Sequence, residues 1–520
     1  MRVLLVNPSY PLEEFPRLLV TLPYLASALR ADGHDVQILD LLLARTTPEK
    51  IERRMARFRP ELVGITSVTL NHHIASFVAE VVRKCDERVP IAMGGPHVSF
   101  EIEGSFRDLP ALDFIGIGQG EQTMLDLARA LEGRLDLRDV RGLALRYGDR
   151  VVRTAPRPFE GELDQLPTPA RDLAPLARYL AFDAPASIVT SRGCPYSCTF
   201  CSAPAWTGRR VRYRTPSLCV DEIEELARLG FSEVAIEDEL FTLNRKHLFA
   251  ICGELVRRDT GIRWNAFSRV DTITEEIVET MAGAGCQAIC FGVESGSQEI
   301  LDIAKKKSNL QKVREAMRMT QATGISAIAS FIIGLPGETA ETLRKTVEFA
   351  NELHEEFGSL YGFHVLAPFP GSEVRERAAD YRLEILSNDW RKYDANHVVS
   401  STEGAPPEVI QEVSDTYEQT LERYLRYQDW LYANDQLEGY EKKMYLLRRR
   451  QTLLWKLLLE DVIEGLPAFR RDPLGELESA VVEATGAAPE FVSAELERVL
   501  ARGALVRRET PDGVRFAWSD

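Results

Sequence analysis

A chain of 520 residues sets a prior of about three domains at roughly 100–200 residues each, which excludes a single small core. It is 45% hydrophobic and 27% charged, and no stretch reaches the ~20 uncharged apolar residues a membrane helix needs. The N-terminal apolar run is too short for a signal peptide, so a cytoplasmic enzyme is expected, and 79 acidic against 63 basic residues, a formal charge of −16, argue against general binding to a phosphate backbone.

The first 135 residues predict five β/α units. VLLVN (3–7) leads into an amphipathic stretch from Arg17 to Ala31, followed by VQIL (36–39), a charged helix near 48–58 and LVGITS (62–67). A helix over 73–86, IAMGG (91–95), DFIGIG (113–118) and a helix over 121–132 complete the series. Apolar strands of this kind separated by helices imply a parallel, Rossmann-like sheet covered on both faces, with ligands beyond the strands' C-terminal ends. Residues 136–185 read as a linker: a hairpin, LALRYGDRVVR (143–153), then a connector with Pro156, Pro158, Pro167 and Pro169.

From SIVTS (187–191) a second series begins, with EVAIED (233–238), IRWNAF (262–267), QAICFGVES (287–295), SAIASFIIG (326–334) and GFHVLAPF (362–369). Six strands with crossover helices predict a partial (β/α)6 TIM-type barrel over 186–385, again with its chemistry at the strands' C-terminal mouths. Residues 386–520 form a mostly helical, aromatic-rich domain. It ends in two helices and a hairpin turning at Pro511-Asp512-Gly513, the pattern of a small winged-helix module. The fold class is therefore α/β, with a helical C-terminal domain.

Eight cysteines are expected to be reduced in the cytosol. Five of them, Cys85, Cys219, Cys252, Cys286 and Cys290, are read as small core residues. The other three, Cys194, Cys198 and Cys201, stand in RGCPYSCTFCSAP directly after a strand. Three thiolates on one tight loop suit three irons of a 4Fe-4S cube and leave the fourth iron open to an exogenous chelator. Zinc would want a fourth ligand at finger spacing, and neither Cys219 nor His247 supplies it.

This C-x-x-x-C-x-x-C loop, with Phe200 before its last Cys, resembles that of the radical S-adenosylmethionine superfamily. The resemblance implies that methionine groups of S-adenosylmethionine chelate the fourth iron and that one electron cleaves it to a 5′-deoxyadenosyl radical. It also implies cofactor contacts at the later strand ends. These are Asp238 and Glu239 in IEDELFTLN toward the methionine amino group, Arg269, and Glu294 with Ser295 toward ribose or methionine. Gly334 in FIIGLPGET would allow adenine to approach.

GITSVTL (64–70), MGGPHVSF (93–100) and FIGIGQGE (114–121) resemble the cobalamin-binding domain that precedes many such barrels. The candidate contacts are Ser67, Thr69, Gly94, Gly95, His97, Gly118 and Glu121. A dinucleotide would need G-x-G-x-x-G after the first strand, where the chain has Asn7-Pro8-Ser9-Tyr10. Asp32-Gly33-His34 imitates the start of a D-x-H-x-x-G motif but lacks its Gly and lies before the second strand, so His34 is read as a turn residue. Cobalamin without a protein His lower ligand is expected, while His72 and His73 are read as polar or solvated residues near the sheet mouth.

Together the two domains resemble the cobalamin-dependent radical methylases and the anaerobic magnesium-protoporphyrin ester cyclase over roughly residues 1–380. The resemblance implies a methyltransferase that moves a methyl group from methylcobalamin to an unactivated carbon, or phosphorus, of a small molecule. The alternatives are a radical oxidation, cyclisation or rearrangement with the same cofactors, and radical modification of RNA or a protein. The implied partner is an external one-electron reductant of flavodoxin or ferredoxin type; nucleic acid and membrane are not expected. The C-terminal aromatics are candidates for closing the reaction chamber.

Overall fold

The structure, a computed structural model, describes residues 1–10, 16–148, 150–159 and 162–519. Five short apolar strands, β1 (Arg2–Asn7), β2 (Asp35–Asp40), β3 (Leu62–Thr66), β4 (Ile91–Gly94) and β5 (Phe114–Gly116), pair in parallel in the order 2-1-3-4-5. Both faces are covered, as such apolar strands require. The hairpin expected in the linker belongs instead to this sheet: β6 (Leu143–Tyr147) and β7 (Arg150–Arg153) continue it antiparallel beyond β5. Burial of Leu143 and Ala144 and satisfaction of the bare edge of β5 account for the docking.

The helix expected from Arg17 begins only at Thr21. Ahead of it Leu18 pairs with the second sheet: its N–H donates to the Pro185 carbonyl at 3.0 Å and its carbonyl accepts from Ser187 N–H at 2.9 Å.

The expected strand 187–191 is divided. β8 (Ala186–Ile188) belongs to the barrel, whereas β9 (Ser191–Arg192) pairs antiparallel with β10 (Arg212–Tyr213), and the three-cysteine loop lies between β9 and β10. The barrel sheet is completed by β11 (Glu233–Ile236), β12 (Arg263–Ser268), β13 (Cys286–Glu294), β14 (Ser326–Ile333) and β15 (Leu360–Val365), all parallel in the order 8-11-12-13-14-15. Period-two burial separates its faces. Ile289, Phe291 and Val293 of β13 are fully buried, each worth about 1.5–3 kcal/mol, while Cys290 and Gly292 are half-buried on the opposite face. Cys290 is thus no core residue; its thiol, pushed up to about 11 by burial, feels the charges of Glu294, Arg17 and Lys306.

Helix Ala340–Phe357 shows how the outer layer is punctuated. Thr339 and Thr342 form a reciprocal cap, and Gly358 closes the helix at φ 64°. Beyond β15, helix Pro407–Ala433 lies along that last strand, with the Tyr417 hydroxyl donating to the Tyr361 carbonyl at 2.9 Å. Helix Gly439–Leu459 returns to the base of the barrel, where Trp455 meets Phe182 edge-on at 5.6 Å. Helices Pro473–Thr485 and Pro489–Ala501 and the hairpin β16 (Leu505–Thr510)/β17 (Gly513–Trp518) complete the described chain, with Phe469 bridging to Val514 as a third strand position. Among the described residues no helix is long and apolar enough to cross a membrane.

Candidate active site

The three-cysteine loop is fastened from both sides. On one side Cys194 N–H donates to the Gly208 carbonyl at 3.0 Å, and Gly193 sits at φ 114°, where a Cβ would come within 2.6 Å of the Arg210 carbonyl, so glycine alone fits. Gly193 N–H also donates to Glu239 Oε2 at 3.0 Å. On the other side Thr199 N–H reaches the Ala304 carbonyl at 3.0 Å and its carbonyl accepts from Val374 N–H at 2.9 Å. All three thiols are free and half-buried. Burial pushes Cys201 up to about 11 and raises Cys194 as well, with the neighbouring thiols adding to both shifts. Such protonated, clustered thiols fit a polynuclear iron group, whose positive charge would draw off their protons. Among the described residues no three His, Cys, Asp or Glu side chains converge on one metal ion. The ligands of a cube bind separate irons, so they do not need that convergence.

A ring of charges surrounds the loop. The Arg269 guanidinium stacks on Tyr196, 3.7 Å from its ring centre, and donates to Cys198 Sγ at 3.7 Å, to Asp271 Oδ1 at 2.8 Å and to the Lys306 carbonyl. Lys306 and Glu294 form a buried pair at 2.6 Å, with the ammonium 5.9 Å from the centre of the Phe200 ring. Phe200, Arg269 and Glu294 are thus brought together as the sequence suggests. Lys306 escaped it, because KKK at 305–307 reads as a solvated charge run. Glu338 was missed as well: its Oε2 accepts from Gly334 and Leu335 N–H at 2.6 and 3.0 Å, Oε1 is buried without a partner, and burial pushes the carboxyl up to about 8. Its signal was the Glu that follows Gly334-Leu335-Pro336-Gly337.

Three expected contacts have other occupations. Asp238 accepts from Thr190 N–H, Thr190 Oγ1 and Ser191 Oγ, each at 2.6 Å, and so anchors the entry to the cysteine loop; burial lifts it to about 6 against these bonds. Ser295 is fully buried against helix Ala340–Phe357, 3.1 Å from Thr346 Oγ1. Gly334, at φ 89°, admits the approach of Ile410 from helix Pro407–Ala433, which a Cβ would meet at 3.2 Å.

At the mouth of the N-terminal sheet a slot of about 90 Å³ opens, lined by Gly64, Thr66, Gly94, Gly95, Gly118 and Trp206 among others. A Cβ on Gly94 or Gly118 would meet nothing within 4 Å, whereas one on Gly95, at φ 115°, would come 2.1 Å from the Ser67 carbonyl. The fit is to a flat group that needs room against backbone. Trp206, from the short helix Ala203–Thr207 just past the third cysteine, also lines an adjoining cavity of about 550 Å³. Glu121 faces that cavity but is paired with Arg192 at 2.7 Å, tying the helix after β5 to the strand that enters the cysteine loop.

Ser67, Thr69 and His97 do come together, beside the slot rather than in its lining. Ser67 Oγ lies 3.1 Å from His72 Nδ1, Thr69 Oγ1 lies 3.1 Å from His97 Nδ1, and the two imidazoles meet at 4.1 Å between ring centres, tilted by 35°. Trp390 from the segment after the barrel covers His97 edge-on at 4.9 Å. Burial lowers His72 to about 4 and His97 to about 3, so both are neutral at pH 7. His72 is therefore no solvated residue, and His34 is more than a turn residue: it is buried, 3.2 Å from the Met1 amino group. Of the expected C-terminal aromatics, Tyr417 packs on the barrel, whereas Tyr424, Tyr427 and Trp430 are exposed.

Comparison with known proteins matches residues 188–350 to the radical SAM superfamily and residues 20–128 to the B12 binding domain. The chain is 35% identical over 402 residues to an uncharacterised methyltransferase of Pyrococcus horikoshii, covering 76% of this chain and 86% of the relative. It is 30% identical over 414 residues to the anaerobic magnesium-protoporphyrin IX monomethyl ester cyclase of Rubrivivax gelatinosus, covering 76% and 72%. The fold is shared with the methyltransferase TsrM of Kitasatospora setae, solved with cobalamin and a [4Fe-4S] cluster, at a TM-score of 0.65 and 20% identity over 96% of this chain and 98% of that one. It is shared equally with the cobalamin-dependent radical enzyme OxsB, at a TM-score of 0.69 and 20% identity over 96% and 80%.

Proposed function

This chain belongs to the cobalamin-binding radical S-adenosylmethionine enzymes, and from that premise we propose that it methylates an unactivated carbon, or phosphorus, of a small molecule held between its two sheet mouths. The observation that carries the reading is Trp206: one short helix leaves the three-cysteine loop and lines the glycine slot, so the two sites share a wall. When bound, the cluster, S-adenosylmethionine and cobalamin supply radical generation and a transferable methyl group.

The chain's own residues have the following tasks in this reading. Cys194, Cys198 and Cys201 hold the cluster, and Arg269 offsets charge at Cys198. Lys306, poised by Glu294, offers an ammonium to the methionine carboxylate. The Glu239 oxygen not bonded to Gly193 accepts from the methionine amino group, and Glu294 has a second oxygen for a ribose hydroxyl. Gly94, Gly95 and Gly118 let cobalamin's nucleotide tail lie against backbone. In this reading cobalamin would be held without a protein imidazole at cobalt, in keeping with a loop after β1 (8–16) that carries no His and with Trp390 covering His97. A one-electron carrier protein of flavodoxin or ferredoxin type would supply the electron.

Anaerobic reconstitution with iron, sulfide, cobalamin, dithionite and S-adenosylmethionine, followed by mass spectrometry, tests this. Both 5′-deoxyadenosine and S-adenosylhomocysteine are expected once substrate is supplied. The cyclase relative favours a second reading, a radical cyclisation or oxidation, which would yield deoxyadenosine without S-adenosylhomocysteine. An intact cluster that yields neither product overturns both.

A further inference from the structure

We propose that Arg17 and Glu237 form the recognition end of a substrate chamber inside the barrel, and that the molecule taken there is uncharged, with an apolar body and an amide or lactam head. The inference rests on the reading that this chain acts on a small molecule at the barrel mouth, and it names the substrate class that reading leaves open. Register carries the first step. Phe267 of β12 pairs with Cys290 of β13, Cys290 with Ile328 of β14, and Ile328 with Leu360 of β15. Partners in a parallel ladder point to one face, here the face opposite Ile289 and Phe291, which are buried in the core shared with the outer helices. Four neighbouring strands therefore give the concave side of the barrel one apolar layer. The layer is open, with Phe267 36% and Leu360 56% exposed, and a concave apolar surface of this kind suits a ligand.

The strap supplies the polar end. A six-stranded barrel leaves β8 with a free edge, and Leu18 takes that edge by bridging to Ala186. Its neighbour Arg17 is thereby carried onto the concave face. The guanidinium lies 5.8 Å from the centre of the Phe267 ring, donates to Glu237 Oε1 at 2.6 Å and acts electrostatically on the Cys290 thiol. Glu237 follows β11 on the same face, and Ser187 Oγ donates to its Oε1 at 3.3 Å. Glu237 Oε2 and the remaining guanidinium N–H groups have no hydrogen-bond partner among the described residues, and the two side chains stay 28% and 33% exposed.

The chemistry of the pair selects the ligand. Arg17 and Glu237 together carry no net charge, and the ion pair nearer the mouth, Lys306 with Glu294, is balanced as well. A substrate anion drawn by Arg17 would be repelled by Glu237, and a cation the reverse, so a charged head gains little from either. The pair does present a donor beside an acceptor. An amide edge, with its C=O and N–H, matches that arrangement through two charge-assisted hydrogen bonds, while the apolar layer takes the body of the molecule. A head that cannot make both bonds leaves one partner unsatisfied and is rejected. Cys290 and Glu294 stand four residues apart on β13, roughly 13 Å of strand, which sets the reach from the head to the mouth.

The probes are octanamide, octanoate and octylammonium, equal chains that differ in the charge of the head, titrated calorimetrically into the anaerobically reconstituted holoenzyme. Octanamide is expected to bind about tenfold tighter than either charged probe. Glu237→Gln leaves Arg17 uncompensated and should put octanoate first; Arg17→Met leaves Glu237 uncompensated and should put octylammonium first. The double variant Arg17→Met/Glu237→Gln removes both charges and should return octanamide to first place, and Phe267→Asn should weaken all three probes alike. A clasp that merely holds the strap would lower the melting temperature of the single variants and leave the order of the probes unchanged. That outcome overturns the proposal, as do equal affinities or no binding of the three probes in the unaltered chain. Failure of the unaltered chain to retain a cluster or to yield 5′-deoxyadenosine would instead overturn the reading beneath it.

Discussion

At the mouth of the barrel the groups offered to a ligand are side chains: three thiols, the Arg269 guanidinium and the Lys306–Glu294 pair. At the mouth of the N-terminal sheet they are stretches of backbone, laid bare by Gly94, Gly95 and Gly118. Both sheets have a parallel body that presents strand C-termini, so topology alone does not set the difference. A compact, charged, redox-active group needs matched charge, whereas a broad group needs an absence of side chains. Substitution should accordingly fail in opposite ways, by removing a function at one mouth and by adding an obstacle at the other.

The largest expected effect lies on the side-chain mouth. Cys198→Ala should abolish cluster formation and S-adenosylmethionine cleavage, read as lost iron, lost visible absorbance and no 5′-deoxyadenosine in a protein whose circular dichroism is unaltered. Retained cleavage would break the comparison at its root. Next, Lys306→Met leaves Glu294 buried without its partner and should cost about 3–5 kcal/mol of stability by denaturant titration. The double variant Lys306→Met/Glu294→Leu should recover much of it, and if it does not, the pair is not the unit described.

The backbone mouth is tested by two alanines. Gly95→Ala forces a Cβ onto the Ser67 carbonyl at a disallowed φ and should destabilise the sheet by about 1–3 kcal/mol. Gly118→Ala places its methyl in open space, so it should fold at a cost of about 1 kcal/mol and instead weaken cobalamin retention in equilibrium dialysis. Undiminished retention would move the cobalamin site elsewhere.

The last effect is read as a slope against pH. Glu338 titrates at about 8 in the fold against 4.5 as a free side chain, so the folded state binds the extra proton between those values. Its contribution is complete below pH 4.5 and is lost as pH rises through 8, by at most about 1.4 kcal/mol per pH unit. Glu338→Gln should flatten that decline in a series of urea melts.

Residue type proved easier to read than residue direction. The cysteine triplet and the glycines at strand ends are chemically distinctive, and near-continuous apolar strands declare a parallel sheet. Asp238 and Ser295 sit at the expected strand ends, yet their oxygens are spent on Thr190, Ser191 and Thr346, because a turn of one residue in a loop reverses where a side chain points. Lys306 was hidden by its two neighbours, since only the backbone torsions of 305–307 separate the buried lysine from the solvated ones. The hairpin at 143–153 was legible as a hairpin, but not the edge it docks on, which is a long-range contact. Trp390 over His97 was invisible for the same reason: the two stand 293 positions apart in a chain where only packing joins them.

Leu18 carries a consequence for how this protein can be taken apart. A residue of the N-terminal half completes the hydrogen bonding of β8, the first strand of the barrel, and its neighbour Arg17 reaches Glu237 at 2.6 Å. The two halves are therefore stitched by main chain as well as by contact between surfaces. A fragment cut near residue 185 would carry a naked β edge, free to recruit another chain, and would be expected to aggregate. Grafting this barrel onto a different partner sheet would need the strap at 17–18 to travel with it.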